Sequence, residues 1–524
     1  MVVAELRPWR AARPHVARFA NAVRPRLARA RAATAPRVTR WASATKPQVT
    51  RVGVNPWPYT AVAATAGLVL AAGVVTAAGP WDSSGQRTAE RDRAAAQDGA
   101  GGADHGVGPG LAGAPRPAPS AASVLTGLGG AGNAVRPAPA GRDLAGVLDP
   151  LLAAPALGDR RGAVVVDLAT GERLYGSGAD KALVPASTTK IATAVAVLSA
   201  LGADHRLTTR TAYDPATGKL VLVGGGDPTL TAREDSAGQA GLRTLAARTA
   251  AALKERGVRK VTPAYDTTLF AGPELHPIGV NDNIAPVSAL MVDEARTDGS
   301  TSGPAPRAAD PAADATRQFA RFLNGHGIGT TDPAPGRATG RARTLASVQS
   351  PPLSALVERM VTDSDNDIAE ALARHTARAA GERADFGGAG RAIRAQLKKL
   401  GLPLKGARFE DGSGLDRDGR LTAHLLTRLL LTAADPARPE LRPTLTGLPV
   451  AGFTGTLSGR YADGAAGIVR AKTGTLTGVN TLAGTAVTRD GRVLGFAFLA
   501  SGTADATAAR AALDRAATAL TASR

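Results

Sequence analysis

Residues 183–201 read LVPASTTKIATAVAVLSAL. Pro185 suits the first turn of a helix, where its missing N–H is not needed. The run after it is apolar on every side, which predicts a helix inside a core rather than on its surface. Two of its residues carry chemistry, Ser187 and Lys190. Three positions apart on a helix they share a face, so Lys190 sits one turn above Ser187. A helix N-terminus offers free N–H groups and partial positive charge, both favourable to an alkoxide or oxyanion. A lysine desolvated among Ile191 and Val195 loses proton affinity, the condition for service as a base. On residue types alone the same pattern also fits an N-capping serine followed by a snorkelling lysine. The pattern is cheap, since Ser43 to Lys46 repeats it in a context where Pro47 disfavours helix at Lys46.

Outward from this helix the texture is that of strands. Gly162–Gly176, GAVVVDLATGERLYG, predicts two short strands around Thr170-Gly171. Near the other end, Val469–Thr473, Thr481–Val487 and Val493–Ala500 predict three more, with Asp490-Gly491 as a turn. Ala504–Leu520 closes the chain as an Ala-rich helix. Strands at both extremes with helical material between them predict one antiparallel sheet built from both ends of the region. This is an α+β domain over 142–207 and 345–524. Residues 208–344 differ: short strands such as Lys219–Val223, then Gly224-Gly225-Gly226, then Pro- and Asp-rich turns predict an inserted, mainly-β domain.

The 524 residues include 44% hydrophobic and 3% aromatic side chains and no cysteine, so disulfides, thiolate metal sites, iron–sulfur clusters and a cysteine nucleophile are excluded. The net charge of +19 is uneven. Residues 1–51 hold twelve Arg or Lys against Glu5, a net +11, which leaves +8 for the rest. Residues 59–80 then carry no charge and are flanked by Trp57, Tyr59 and Trp81. Such a stretch is long enough to cross roughly 30 Å of hydrocarbon. The charge bias predicts a cytoplasmic arm (1–58), a membrane segment or a cleaved signal (59–80), and export of the chain beyond residue 80. Residues 81–141, rich in Gly, Ala, Pro and Ser, predict a flexible linker with a reach of roughly 45 Å. The arm has no interleaved recognition aromatics and fits no nucleic-acid module.

Two more motifs come after the first in order. Ser364-Asp365-Asn366 precedes the helical stretch Ile368–Ala380, and Lys472-Thr473-Gly474 ends a predicted strand. Alternating Asp363, Asp365 and Asp367 suggest a calcium loop, but Ile368 and Arg374 stand where it needs Gly and Glu. A helix cap is the other simple reading. No G-x-S-x-G or H-E-x-x-H occurs. His205, His276, His375 and His424 lack metal-ligand spacing and read as surface or capped residues. No metal or cofactor is expected.

Taken together, the three motifs resemble the signature S-x-x-K, S-D-N and K-T-G of the active-site serine penicillin-recognising enzymes. The long insert resembles the D-alanyl-D-alanine carboxypeptidase/endopeptidase branch, the low-molecular-mass class C penicillin-binding proteins. So do GGGDPTL (224–230), APVSAL (285–290), DGSGL (411–415), LPVAG (448–452) and GTL (455–457). Asp416 and Gly419 depart from the serine and asparagine common there.

The resemblance implies a β-lactamase/transpeptidase-like fold in which Ser187 attacks the D-Ala-D-Ala carbonyl of a peptidoglycan stem peptide and Lys190 takes its proton. It implies that Ser364 relays a proton to the leaving amine and that Asn366 orients the substrate amide. Lys472, Thr473 and Gly474 would bind the free carboxylate, and the backbone N–H groups of Ser187 and Thr475 would form the oxyanion hole. β-Lactams would acylate the same serine. A serine β-lactamase and a non-catalytic penicillin-recognising sensor or wall-binding module are the competing readings.

Overall fold

A computed structural model describes residues 142–461 and 464–522. The arm, the 59–80 segment, the linker and the Ser43–Lys46 repeat of the serine–lysine pattern lie outside the described residues. Among the described residues no helix is long and apolar enough to cross a membrane.

In chain order the elements are helix α1 (Arg142–Leu152), strands β1 (Arg160–Asp167) and β2 (Arg173–Ser177), helix α2 (Thr189–Leu201), strands β3 (Thr208–Asp214) and β4 (Lys219–Val223), helix α3 (Leu242–Glu255), strand β5 (Lys260–Asp266) and helix α4 (Pro311–Gly325). Strands β6 (Gly329–Thr330), β7 (Ala334–Pro335) and β8 (Arg343–Gln349) come next, then helices α5 (Leu353–Thr362), α6 (Asn366–Ala379), α7 (Phe386–Lys399), α8 (Ala423–Ala434) and α9 (Pro443–Thr446). Strands β9 (Val469–Leu476), β10 (Val479–Val487) and β11 (Val493–Ser501) and helix α10 (Ala506–Ala522) complete it.

The expected sheet from both ends is present, antiparallel throughout in the order β2-β1-β11-β10-β9. Strand alternation divides its side chains between two cores. Val164 and Val166 face the helices α2, α5, α6, α7 and α8, while Ala163 and Val165 face α1 and α10. Helix α2 runs through the first core with every residue from Thr189 to Leu198 buried, as its all-round apolar sequence predicts. Each Ile, Val or Leu so enclosed contributes about 1.5–3 kcal/mol.

The inserted segment builds a second sheet, β6-β5-β4-β3-β8, with β7 also beside β5. It is not mainly β. β4 and β5 are parallel, a pairing that needs a crossover, and α3 supplies it. Helices α3 and α4 cover the sheet with Leu242, Leu245, Leu253, Phe319 and Leu323. Ala and Arg between the α3 leucines hide their helical spacing in the sequence. The sheet also runs past residue 344, because β8 pairs with β3 as far as Gln349 opposite Thr208.

Candidate active site

Pro185 leads into a 3-10 turn, Ala186–Thr188, and only then does α2 begin. Ser187 therefore stands in the turn ahead of the helix, and Lys190 in the helix's first turn. Ala186 has φ 48° and Ser364 φ 59°, both in the left-handed region that side chains other than glycine's disfavour. Such strain costs on the order of 1–3 kcal/mol per residue, and here it brackets the two serines.

Lys190 is fully buried. Its Nζ lies 3.0 Å from Ser187 Oγ, 2.7 Å from Asn366 Oδ1 and 2.8 Å from the Ser413 carbonyl oxygen. Asn366 Nδ2 donates to the Asn283 carbonyl at 2.8 Å, which fixes the amide's orientation and leaves Oδ1 toward the lysine. Oδ1 and the Ser413 carbonyl only accept, so they use two N–H bonds of the amine. In a neutral amine the lone pair is then left for the Ser187 hydroxyl. Burial pulls the Lys190 pKa down to about 8, opposed by Asp411, Glu370, Asp365 and Asp367.

Across the cleft, edge strand β9 carries Lys472-Thr473-Gly474. Lys472 is also fully buried and donates to the Thr473 carbonyl at 2.8 Å. Burial holds its pKa well below the ordinary lysine value, and Lys190 pushes in the same direction. Thr473 and Thr475 line the cleft, and Thr473 Oγ1 donates to Thr456 Oγ1 at 2.9 Å. The resemblance puts Gly474 at the substrate. Instead it is buried against β10, where a Cβ would overlap Thr481 Oγ1 and stand 2.8 Å from the Pro185 carbonyl oxygen. Thr481 Oγ1 donates to that carbonyl at 2.9 Å. Glycine lets the strand close on the turn that presents Ser187.

The cleft between these walls has a volume of about 440 Å³, and Ser187, Ser364, Asn366, Thr473 and Thr475 line it. Asn283, Arg296 and Arg307 reach it from the inserted segment. Asp365 caps α6 by accepting from Ile368 N–H at 2.9 Å, so the helix begins at Asn366, two residues earlier than expected. Asp367 accepts from Ala285 N–H at 2.8 Å and from Arg307 at 2.7 Å. Glu294 accepts from Arg296 at 2.7 Å and from Arg359. Burial raises the Glu294 pKa to about 8 and that of Asp367 to about 7, with the arginines opposing. Of the alternating aspartates, Asp365 thus serves as a cap and Asp367 as an ion-pair partner, while Asp363 lines the cleft.

Sequence reasoning missed the support behind Lys190. Glu370 accepts from the N–H groups of Gly412 and Ser413 at 3.0 and 2.8 Å. Asp411 accepts from Gly414 and Asp416 N–H, both at 2.7 Å, and from the Ser413 hydroxyl at 3.1 Å. His276, read from sequence as a surface or capped residue, is buried, with Nε2 3.1 Å from Asp411 Oδ2. Its Nδ1 accepts from Ile278 N–H at 3.2 Å, which puts the ring proton on Nε2. His375 is buried too, 3.2 Å from the Gly226 carbonyl, and burial takes its pKa down to about 4. His424 bonds Asp180 at 2.9 Å and His205 is exposed. His276, Glu370 and Asp411 bring ligand atoms within 4.8 Å of one another, but the carboxylate oxygens are already taken by the loop's N–H groups. The one available signal was the string Asp411-Gly412-Ser413-Gly414, whose residues favour a tight, side-chain-bonded loop.

Comparison with known proteins gives a consistent result. Carboxypeptidase DacB of Mycolicibacterium smegmatis is 39% identical over 382 residues, covering 70% of this chain and 81% of that protein. Carboxypeptidase Rv3627c of Mycobacterium tuberculosis is 38% identical over 409 residues, covering 74% and 86%. The crystal structure of penicillin binding protein 4 (dacB) from Haemophilus influenzae superimposes with a TM-score of 0.58 at 22% identity, over 72% of this chain and 98% of that one, a likeness of fold. The family described as D-Ala-D-Ala carboxypeptidase 3 (S13) matches residues 144–306 and 297–520, a span that holds all three motifs and the cleft they form. By motif order, site geometry and this match, the chain belongs to the D-Ala-D-Ala carboxypeptidase 3 (S13) family.

Proposed function

We propose that the protein is a serine D-alanyl-D-alanine carboxypeptidase/endopeptidase that acts on peptidoglycan stem peptides and is acylated by β-lactams. One observation carries this most: Lys190 Nζ stands 3.0 Å from Ser187 Oγ with its other two bonds directed to groups that only accept.

In acylation Lys190 takes the hydroxyl proton while Ser187 Oγ bonds to the carbonyl carbon. The carbonyl oxygen gains charge and rests on the N–H groups of Ser187 and Thr475, each such donor supplying ~3 kcal/mol to the transition state. The C–N bond then breaks, and the proton returns from Lys190 through the Ser364 hydroxyl to the departing D-alanine amine. Water hydrolyses the ester and restores Ser187. Lys472 sits behind the wall with Asp363 as the carboxylate opposing its desolvation, so a substrate carboxylate at Thr473 adds counter-charge that favours its ammonium, and Asn366 sits where it can orient the scissile amide as well as Lys190. Gly474 contributes by packing rather than by touching substrate.

The experiment is labelling with a fluorescent penicillin alongside D-alanine release from a pentapeptide. Wild type is expected to do both and Ser187→Ala neither. Labelling that survives in Ser187→Ala removes the nucleophile. Labelling without D-alanine release favours a sensor, and rapid penicillin turnover favours a β-lactamase. We also infer export, with residues 59–80 as the membrane segment or signal. External protease on intact cells is then expected to digest the region after residue 81, and protection would contradict this.

A further inference from the structure

Helix α6 reaches Lys190 by two routes. Asn366, its first residue, accepts from Nζ directly. Glu370, one turn further along the same face, does not touch the lysine but grips the N–H groups of Gly412 and Ser413. That grip turns the Ser413 carbonyl toward Nζ. Thr193, on α2, holds the same loop from the opposite side, its hydroxyl donating to the Gly412 carbonyl at 2.6 Å. Both Glu370 and Asp411 are buried, and Asp411 is tied to the loop and to His276.

We propose that Glu370 is a positioning residue for the reaction: its grip on the loop fixes the Ser413 carbonyl that aims Lys190, and its carboxylate behind the amine sets how strongly Lys190 holds its proton. The inference rests on reading Ser187 as nucleophile and Lys190 as base. The groups facing Lys190 are Glu370, Asp365 and Asp367 around α6, Asp411 in the loop, and Lys472 on β9. Those facing Glu370 are Asp411 and His276, with Arg374 one turn on. Burial alone would leave Lys190 neutral but weakly basic; the carboxylates return proton affinity, so that it is half neutral near pH 8 and still able to deprotonate a serine. Their charge favours the ammonium, so removing one shifts the amine toward its neutral, weaker form.

The test is the rate of benzylpenicillin acylation against pH, with labelling at completion counting correctly folded sites. In Glu370→Gln the acid limb is expected to move to lower pH, by on the order of one unit, while the plateau rate falls. Thr193→Val disturbs the same loop without altering charge, so its plateau is expected to fall with the limb in place. If Glu370→Gln does not label fully at any pH, Glu370→Asp withdraws the charge by one methylene and is expected to move the limb the same way by less. An unmoved limb in the fully labelled variant overturns the proposal. Equal limb shifts in Thr193→Val also overturn it, because loop geometry alone would then suffice. Wild type that never labels overturns the reading of Ser187 and Lys190 instead.

Discussion

The two walls of the cleft each bury a lysine, and the two are held in opposite ways. On the helix wall Lys190 has three oxygen neighbours and four carboxylates around it. On the strand wall Lys472 donates to the carbonyl of its own neighbour, Thr473, and the charges acting on it are Lys190 and a single opposing carboxylate, Asp363. The first arrangement suits an amine that must give and take a proton in a fixed geometry. The second suits an amine that gains its charge and its counter-ion together when an anion arrives. The same residue type, equally buried, is thus suited to two different roles by its partners.

The largest break in this comparison is on the helix wall. Ser187→Ala is expected to lower D-alanine release by about 10⁴-fold or more, since the covalent route is lost. Lys190→Met keeps the volume and removes the base, with an expected loss of about 10²–10⁴-fold in acylation; D-alanine release from a pentapeptide measures the first and the penicillin labelling rate the second. On the strand wall Lys472→Gln is expected to cost about 10–100-fold in kcat/KM for a peptide with a free terminal carboxylate, the worth of one charge-assisted contact. The same variant is expected to lose preference for that peptide over its C-terminal amide, which Lys190→Met keeps. Gly474→Ala tests whether the two walls are joined. Pushing β9 off the Ser187 turn is expected to destabilise the fold by about 1–3 kcal/mol, read as a lower Tm.

The pH dependence separates the walls further. Acylation needs Lys190 neutral, so its rate is expected to rise through about pH 8. Lys472 changes in the other direction: its pKa is low in the free protein and rises when a carboxylate binds. Binding a carboxylate ligand is therefore expected to take up protons, visible as a binding heat that depends on the buffer's ionisation enthalpy. A buffer-independent heat would contradict the strand-wall account.

Much of this is legible in the chain. The strands over 162–176 and 469–500 alternate or run apolar, and the all-apolar helix after Pro185 has no surface to lie on, so sheet and central helix emerge from pattern. The three motifs name their own residues. The Ser413 carbonyl is not legible, because a backbone oxygen has no residue-type signature and its aim depends on Glu370, 43 positions earlier in the chain. The ion pairs of Glu294 with Arg359 and of Arg307 with Asp367 join the inserted segment to the helices on either side of Ser364, and charges in sequence do not declare partners. Gly474 reads from sequence as a substrate contact because smallness looks alike whether it admits a ligand or a neighbouring strand.

Peptide mapping by mass spectrometry after brief exposure to benzylpenicillin tests the central claim most directly. One adduct is expected, on the peptide that contains Ser187, formed rapidly by wild type and at least about 100-fold more slowly by Lys190→Met. An adduct on any other residue, or one formed equally fast without Lys190, would contradict it.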